Sequence, residues 1–309
     1  MTLRGAVARI LPLILAAAAL WVLWRELRGL SWTAFSAAVA GWGWPRLAGA
    51  LALVAGAYAG LVANEQIALR WVGARVRLRS GAAASFIAYA FANNLGMGVL
   101  MGGALRAGVY SRFGVSLVQV AKVTAYGTLT FSLGVALLLG GALVRARPEV
   151  FELLRLSPAA GRAVGALLIL VPFGYVAACA GRRRPIRVFG RSFETPSARL
   201  AAVQTGFGLL DVSCSAALLW LLLGAAAPHF VVFLGAYLVS IVAGLVSGVP
   251  GGVGVFESVM LKLLPSVDRA ALAAALLGYR LTYYLAPLIV ALVVLALRGR
   301  GAARPPPHG

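Results

Sequence analysis

Apolar residues in this chain come in long runs rather than at the spacings that put one face of a helix or strand against a water-soluble core. Six runs, near residues 10–24, 47–69, 116–143, 163–181, 200–223 and 270–297, are separated by connectors that carry arginine. Runs of about 20 apolar residues match the roughly 30 Å hydrocarbon thickness of a bilayer, so each predicts a spanning helix. Two further apolar regions, 81–101 with its continuation to 115 and 230–264, are broken at their middles. The first is interrupted by Asn93-Asn94-Leu95-Gly96-Met97-Gly98 and the second by Gly248-Val249-Pro250-Gly251-Gly252-Val253-Gly254. Asn, Gly and Pro in such clusters end helices.

The connectors set the direction of each crossing. Residues 70–79 hold Arg70, Arg75, Arg77 and Arg79 without an acid, and 182–199 hold six arginines against Glu194. The positive-inside rule puts both on the cytoplasmic side, together with Arg4 and Arg9 of the head and Arg298, Arg300 and Arg304 of the tail. Segments 25–46 and 144–162, where Glu26, Glu149 and Glu152 dilute the arginines, face outward. With these anchors, 81–115 must begin and end inside and 230–264 must begin and end outside, so neither crosses once. Both are therefore expected to be re-entrant helical hairpins, one from each face. The alternative is a pair of ordinary crossings packed through glycine. For 230–264 that requires two full crossings in 35 residues, fewer than two helices of about 20 residues and a turn. The expected fold is an all-α integral membrane protein with about six spanning helices and two re-entrant hairpins, in inverted repeats near 10–143 and 163–297. Many secondary transporters share this plan and place broken helices opposite each other near the midplane. Residues 1–297 form one membrane domain on this reading, with 298–309 a disordered cytoplasmic tail.

Composition agrees with the pattern. Of 309 residues 61% are hydrophobic and 12% charged, and the mean hydropathy is +0.92. The net charge of +20 would point to nucleic acid in a soluble protein, but its arginines lie between apolar runs and report topology instead. Cys179 and Cys214 both lie in apolar runs, which excludes a disulfide framework, and neither His229 nor His308 has metal-ligand company. Arg4 and Arg9 before the run Leu11 to Leu23 resemble a signal peptide. The nearest small-residue site, Ala38-Val39-Ala40, is too far downstream, so the run is read as an uncleaved helix. No Walker loop, nucleophile elbow, zinc-protease motif, dinucleotide fingerprint or spaced carboxylate cluster is present, and neither a cofactor nor an enzymatic reaction is expected.

Charges at membrane depth carry the candidate chemistry, because each costs on the order of 2.5–3.5 kcal/mol if left in lipid. Arg106 follows the glycines of the first broken region and Glu257 those of the second, in matching places. Glu257 also fits the first turn of a helix, where an acid complements the positive helix end. Asp211 and Arg280 lie too deep to reach the interface easily. An Asp211–Arg280 or Glu257–Arg280 ion pair and direct substrate contact both fit them. Tyr279-Arg280-Leu281-Thr282-Tyr283-Tyr284-Leu285-Ala286-Pro287 puts a guanidinium among phenols ahead of a helix-kinking proline. That is a plausible phosphate clamp or an interhelical hydrogen-bond knot. Glu65 and Lys122 lie within reach of the cytoplasmic boundary and rank lower, and Lys262 lower still.

Val249-Pro250-Gly251-Gly252-Val253-Gly254-Val255-Phe256-Glu257, the run Gly102-Gly103-Ala104-Leu105-Arg106 continuing to Ser116, and Tyr279-Arg280…Tyr283…Pro287 together resemble the lysylphosphatidylglycerol synthase transmembrane (flippase-like) family over about residues 10–297. In full-length multiple-peptide-resistance proteins, the resemblance implies, this membrane domain moves aminoacylated phospholipid between leaflets while a separate soluble domain makes that lipid from aminoacyl-tRNA. Only twelve residues follow 297, so the chain is expected to be a stand-alone member without the synthase half. Stand-alone relatives are linked to isoprenoid-derived, hopanoid or glycosylated lipids as well, so the lipid does not transfer. Carried over, Arg106, Glu257 and Arg280 fall in the functional region.

The expected function is lipid translocation in a prokaryotic plasma membrane, with both termini cytoplasmic. A head group would enter a polar cavity between hairpin tips formed by Asn93, Asn94 and Gly96 on one side and Pro250, Gly251, Gly252 and Gly254 on the other. Arg106 and Arg280 would engage phosphate, with Asp211, Glu257 and Tyr283 completing the site and no metal required. A membrane-embedded lipid-modifying enzyme using Glu257 or Asp211 as general base, and a non-transporting partner of lipid-synthesis enzymes or glycosyltransferases, are the alternatives.

Overall fold

The computed structural model describes residues 40–302, apart from 96–97, 147, 154–155, 182–185, 189–190 and 194, together with Thr33 and Ser36. The run at 10–24 and the tip residue Gly96 lie outside the described residues.

Five of the apolar runs form helices long and apolar enough to cross a membrane. They are α1 (Trp44–Trp71), α4 (Leu117–Val144), α6 (Pro158–Gly181), α7 (Ala198–Leu223) with a 3-10 turn to Ala226, and a last span over Arg269–Leu297. That last span is composite: α10 (Arg269–Tyr279), a π-helical turn Arg280–Leu285, and α11 (Ala286–Ala302). α11 runs through Ala302, so the expected disordered tail is helical over its first five residues.

Between these lie the two broken regions. The first forms α2 (Leu78–Leu95) and α3 (Gly98–Tyr110), and the second forms α8 (Phe230–Val246) and α9 (Val255–Leu263). At 1.5 Å per residue α3 is about 20 Å long and α9 about 14 Å, each short of the roughly 30 Å hydrocarbon layer. The second break is a 3-10 turn at Pro250–Gly252 in which Gly248, Gly251, Gly252 and Gly254 all have positive φ. L side chains are strained there, so the glycine run is a backbone requirement of the turn. α5 (Pro148–Leu153) is a single short helix. Between α6 and α7 a two-stranded antiparallel hairpin, β1 (Ile186–Val188) and β2 (Arg191–Phe193), pairs Ile186 with Phe193, an element not expected in an arginine-rich connector.

The long helices pack through small residues. α4 lies against α6 and α7, and α1 against α7. A Cβ added at Gly134 would collide with the backbone of Gly208, one added at Gly208 with the Thr130 carbonyl, and one at Gly140 with the Gly165 carbonyl at 2.6 Å. Apolar lipid gives helices no hydrophobic reason to associate, so close backbone approach through glycine supplies the packing. The outer faces keep Leu167, Leu170, Phe173, Ile289 and Val293 exposed, as a lipid-facing surface requires.

The end of α2 meets the second break. α2 packs against the Pro250–Gly252 turn and against the π-helical turn and α11. Asn94 Nδ2 donates to the Tyr284 carbonyl at 3.0 Å and to Ala90 at 2.7 Å, and Asn93 Nδ2 donates to the Tyr58 hydroxyl at 3.3 Å. Pro287 explains part of this arrangement. It has no N–H to give the carbonyl four residues back, which is Tyr283, and the Tyr58 hydroxyl donates to that oxygen instead, at 3.2 Å.

Candidate functional site

Four of the deep charges form two ion pairs, one in each half of the chain. In the second half, Gly254 ends the glycine turn and caps α9, and its N–H donates to Glu257 Oε2 at 2.7 Å. Glu257 thus does what its first-turn position predicts, and its other oxygen is left for a second partner. Arg280 fills that role, with Nε 2.6 Å and Nη2 2.5 Å from Oε1. The far side of the guanidinium reaches the Gly251 carbonyl at 3.5 Å, and the Tyr284 ring lies 5.6 Å from its carbon centre. Of the two pairings open to Arg280 in the sequence, the structure forms Glu257–Arg280.

The first half repeats the constellation with different residues. Arg106 Nε and Nη2 donate to Glu65 Oε2 at 2.9 and 2.5 Å, and the Tyr110 hydroxyl donates to Glu65 Oε1 at 2.6 Å. Nη1 of Arg106 lies 3.4 Å from the Gly102 carbonyl, and its carbon centre sits 4.6 Å over the Tyr89 ring. In both halves one guanidinium edge grips a single carboxylate oxygen, a second donor holds the other oxygen, a glycine carbonyl receives the guanidinium as well, within α3 in the first half and at the break in the second, and a tyrosine ring flanks the charge. The polarity is reversed. Arginine follows the break in the first half and glutamate in the second.

Glu65 is where the sequence reading falls short. It was placed near the cytoplasmic boundary, yet its side chain is 1% exposed and paired with Arg106, itself 5% exposed. A signal was available, since Glu65 is the acid at membrane depth in the same half as Arg106, and a buried arginine requires a partner. Lys122 is half-buried and Lys262 exposed, in keeping with their lower rank.

Asp211, buried in the middle of α7, accepts the Tyr283 hydroxyl at 3.0 Å rather than an arginine. Tyr283 belongs to a stack of rings around the break. It lies parallel to Tyr279 at 5.4 Å and tilted to Tyr58 at 5.8 Å, and the Tyr279 and Tyr237 hydroxyls are 2.8 Å apart. The structure therefore brings Asn93, Asn94, Gly251, Gly254, Glu257, Arg280, Tyr283 and Asp211 into one polar region at the meeting of the two breaks. Arg106 stands in the second, matched constellation with Glu65. The Arg280 side chain is 10% exposed and that of Glu257 24%, and Gly254 beside them is exposed.

The family model described as "Lysylphosphatidylglycerol synthase TM region" matches residues 9–291. An uncharacterized protein of Synechocystis sp., slr0712, is 31% identical over 268 residues, 85% of this chain and 82% of its own length. The Escherichia coli inner membrane protein YbhN is 31% identical over 255 residues, 81% of this chain and 79% of its own. A phosphatidylglycerol lysyltransferase of Staphylococcus haemolyticus is 38% identical over 77 residues, which is 24% of this chain but 9% of that enzyme. The two broken helix pairs, the glycine turn ahead of Glu257 and the long apolar spans thus sit in a chain matched nearly from end to end, and the protein belongs to the lysylphosphatidylglycerol synthase TM region family.

Proposed function

We propose that the chain is a lipid translocator, in which α2–α3 and α8–α9 are re-entrant hairpins from opposite faces of a bacterial inner membrane and a phospholipid head group passes between their tips. The observation that carries this reading is the contact of the end of α2 with the second helix break beside Glu257–Arg280, with Arg280 on the Gly251 carbonyl and Asn94 on the Tyr284 carbonyl. Irregular backbone and ionised groups at membrane depth are tolerated where they line a polar path.

The geometry suggests how a phosphate is taken and released. Glu257 occupies the Nε/Nη2 edge of Arg280 with one oxygen only, and its other oxygen is anchored on Gly254. An incoming phosphate oxygen takes the place of Oε1 on the guanidinium, which presents donors in a fixed fork. Glu257 then stays near, held by the cap, and displaces the phosphate when the head group leaves. Arg106 offers the matched contact in the other half, and Asp211 and Tyr283 line the path between. No chemical step on the lipid is part of this cycle, so the reading is of a transporter and not of an enzyme.

The test is transfer of a fluorescent phospholipid between leaflets of reconstituted vesicles, read by quenching with a membrane-impermeant reductant. Glu257→Gln keeps an acceptor for Gly254 but cannot compete as a charge for Arg280, so transfer should be lost while the protein stays folded. Unimpaired transfer in that variant would refute the assignment. Conversion of labelled phospholipid to a new product by the purified protein would favour the enzymatic alternative.

A further inference from the structure

A groove of about 350 Å³ lies away from the ion pairs, where α4 of the first half meets α8 and the end of α9 of the second. We infer that it is a lateral seat for one phospholipid of the outer leaflet, with one acyl chain in the groove and the phosphate at its rim; this rests on the translocator reading and supplies its lipid entry point.

The groove is amphipathic along its length. Its walls are Leu139, Leu143, Val232, Val239 and Leu263, and its rim carries Arg145 and His229. Arg145 caps the C-terminal end of α4 and His229 precedes the first turn of α8, so both rim residues mark the same end of the bundle. From His229 to Val239 is ten residues of helix, about 15 Å at 1.5 Å per residue. That is half of the roughly 30 Å hydrocarbon layer, the depth of a single leaflet. The charges of the connectors put this end outside. The volume falls within the 300–1,000 Å³ of small-molecule sites.

Charge selects the occupant. Arg145 is permanently cationic, His229 offers a ring N–H, both are exposed, and no acidic residue lines the groove among the described residues. A phosphodiester is the anion that sits at this depth of a bilayer. Val232 in the lining is exposed, as a surface open sideways to lipid requires. The floor is made by a glycine. A Cβ added at Gly235 would stand 3.8 Å from the Ala142 Cβ, an ordinary contact, so a methyl group is accommodated there and only a much larger side chain would fill the groove. Leu263 ends the nine-residue helix α9 whose first turn holds Glu257, so an occupant of the groove touches the element that carries the proposed head-group site.

The experiment is photolabelling of the full chain in nanodiscs by a phospholipid carrying a photoactivatable group on one acyl chain, with labelled peptides mapped by mass spectrometry. Label should concentrate on Leu139–Ala146 and Val231–Val239. Gly235→Phe should lower it about tenfold, and Gly235→Ala should leave it unchanged. Arg145→Gln, on an exposed residue, should lower labelling by the phospholipid several-fold but not labelling by a photoactivatable diacylglycerol, which lacks phosphate. Label spread evenly over exposed apolar faces such as Leu167–Phe173, or insensitivity to both Gly235→Phe and Arg145→Gln, would overturn the seat. Labelling is read without transfer, so a parent protein that is labelled in the groove but moves no lipid sinks the translocator and keeps the seat, and the reverse result sinks the seat alone.

Discussion

Glu65 and Arg106 offer the sharpest separation of fold from function. Their side chains are 1% and 5% exposed, Arg106 places two donors on one oxygen of Glu65, and Tyr110 donates to the other. Removing either partner leaves a buried charge without its counter-ion, a loss of about 3–5 kcal/mol. Glu65→Leu and Arg106→Met as single changes should each produce that loss. Together they remove both charges, and apolar replacement of a buried pair is often neutral or stabilising by about 1–4 kcal/mol. What remains against the double variant is the Tyr110 hydroxyl deprived of its acceptor, about 1–3 kcal/mol if nothing replaces it. Ser85 Oγ, 3.0 Å from that hydroxyl, is in place to do so. The double variant should therefore lie within about 2 kcal/mol of the parent and well above either single variant. Equilibrium unfolding in mixed micelles measures this cycle. If the two losses add, or if each single change costs only the roughly 0.6 kcal/mol typical of interhelical hydrogen bonds in membranes, water reaches the pair and the dry ion pair is wrong. Lipid transfer gives an independent reading. A refolded, stable double variant that has lost transfer supports Arg106 as a phosphate contact, and one that transfers normally makes the pair a structural tie.

Three further outcomes follow from local geometry. Gly254→Ala forces a side chain onto a residue at φ 81°, where left-handed backbone costs about 1–2 kcal/mol, and should lower the thermal midpoint, whereas Gly174→Ala, in open space within α6, should not. Tyr58→Phe removes the donor to the Tyr283 carbonyl and the acceptor of Asn93, a loss of about 1–3 kcal/mol, and Pro287→Ala should recover part of it by restoring an N–H; no recovery in the double variant would count against the proline as the cause. Gly208→Val drives a branched side chain into the Thr130 carbonyl and should destabilise by about 1–3 kcal/mol or more, seen as loss of folded protein on size-exclusion chromatography.

The spans were legible because apolar length is a one-dimensional property, and five of the six runs coincide with helices long enough to cross. Both breaks were legible locally: the glycine run from Gly248 supplies positive φ that other residues resist, and the Asn93–Gly98 cluster falls where α2 ends at Leu95, with both asparagines in its last turn. The Glu257–Arg280 pair was half legible, since two depth-buried charges of opposite sign in one half invite pairing, but Asp211 was an equal candidate until the Tyr283 hydroxyl is seen to face it. Glu65 reads from sequence as a residue near the cytoplasmic boundary, and its pairing is hidden because the partner lies 41 residues away across a helix break and position along a span says little about which side chain points inward. The π-helical turn at Arg280–Leu285 leaves no mark on hydropathy, and Pro287 signalled only that some irregularity was due. The strands at Ile186–Val188 and Arg191–Phe193 sit in a basic connector whose composition carries topology rather than pairing.

The glycine contacts of α4 bear on how such a protein could move. Gly134 against Gly208 and Gly140 against Gly165 join backbone to backbone across the boundary between the two halves of the chain. Swinging one half past the other would lift whole turns of main chain over a carbonyl at both points, so these helices behave as a welded chassis. The tips are fastened more lightly, by single donors such as Asn93 and Asn94 worth about 1 kcal/mol apiece. On the proposed translocator reading, access from the two leaflets falls to small displacements of the short helices, with the long ones standing still.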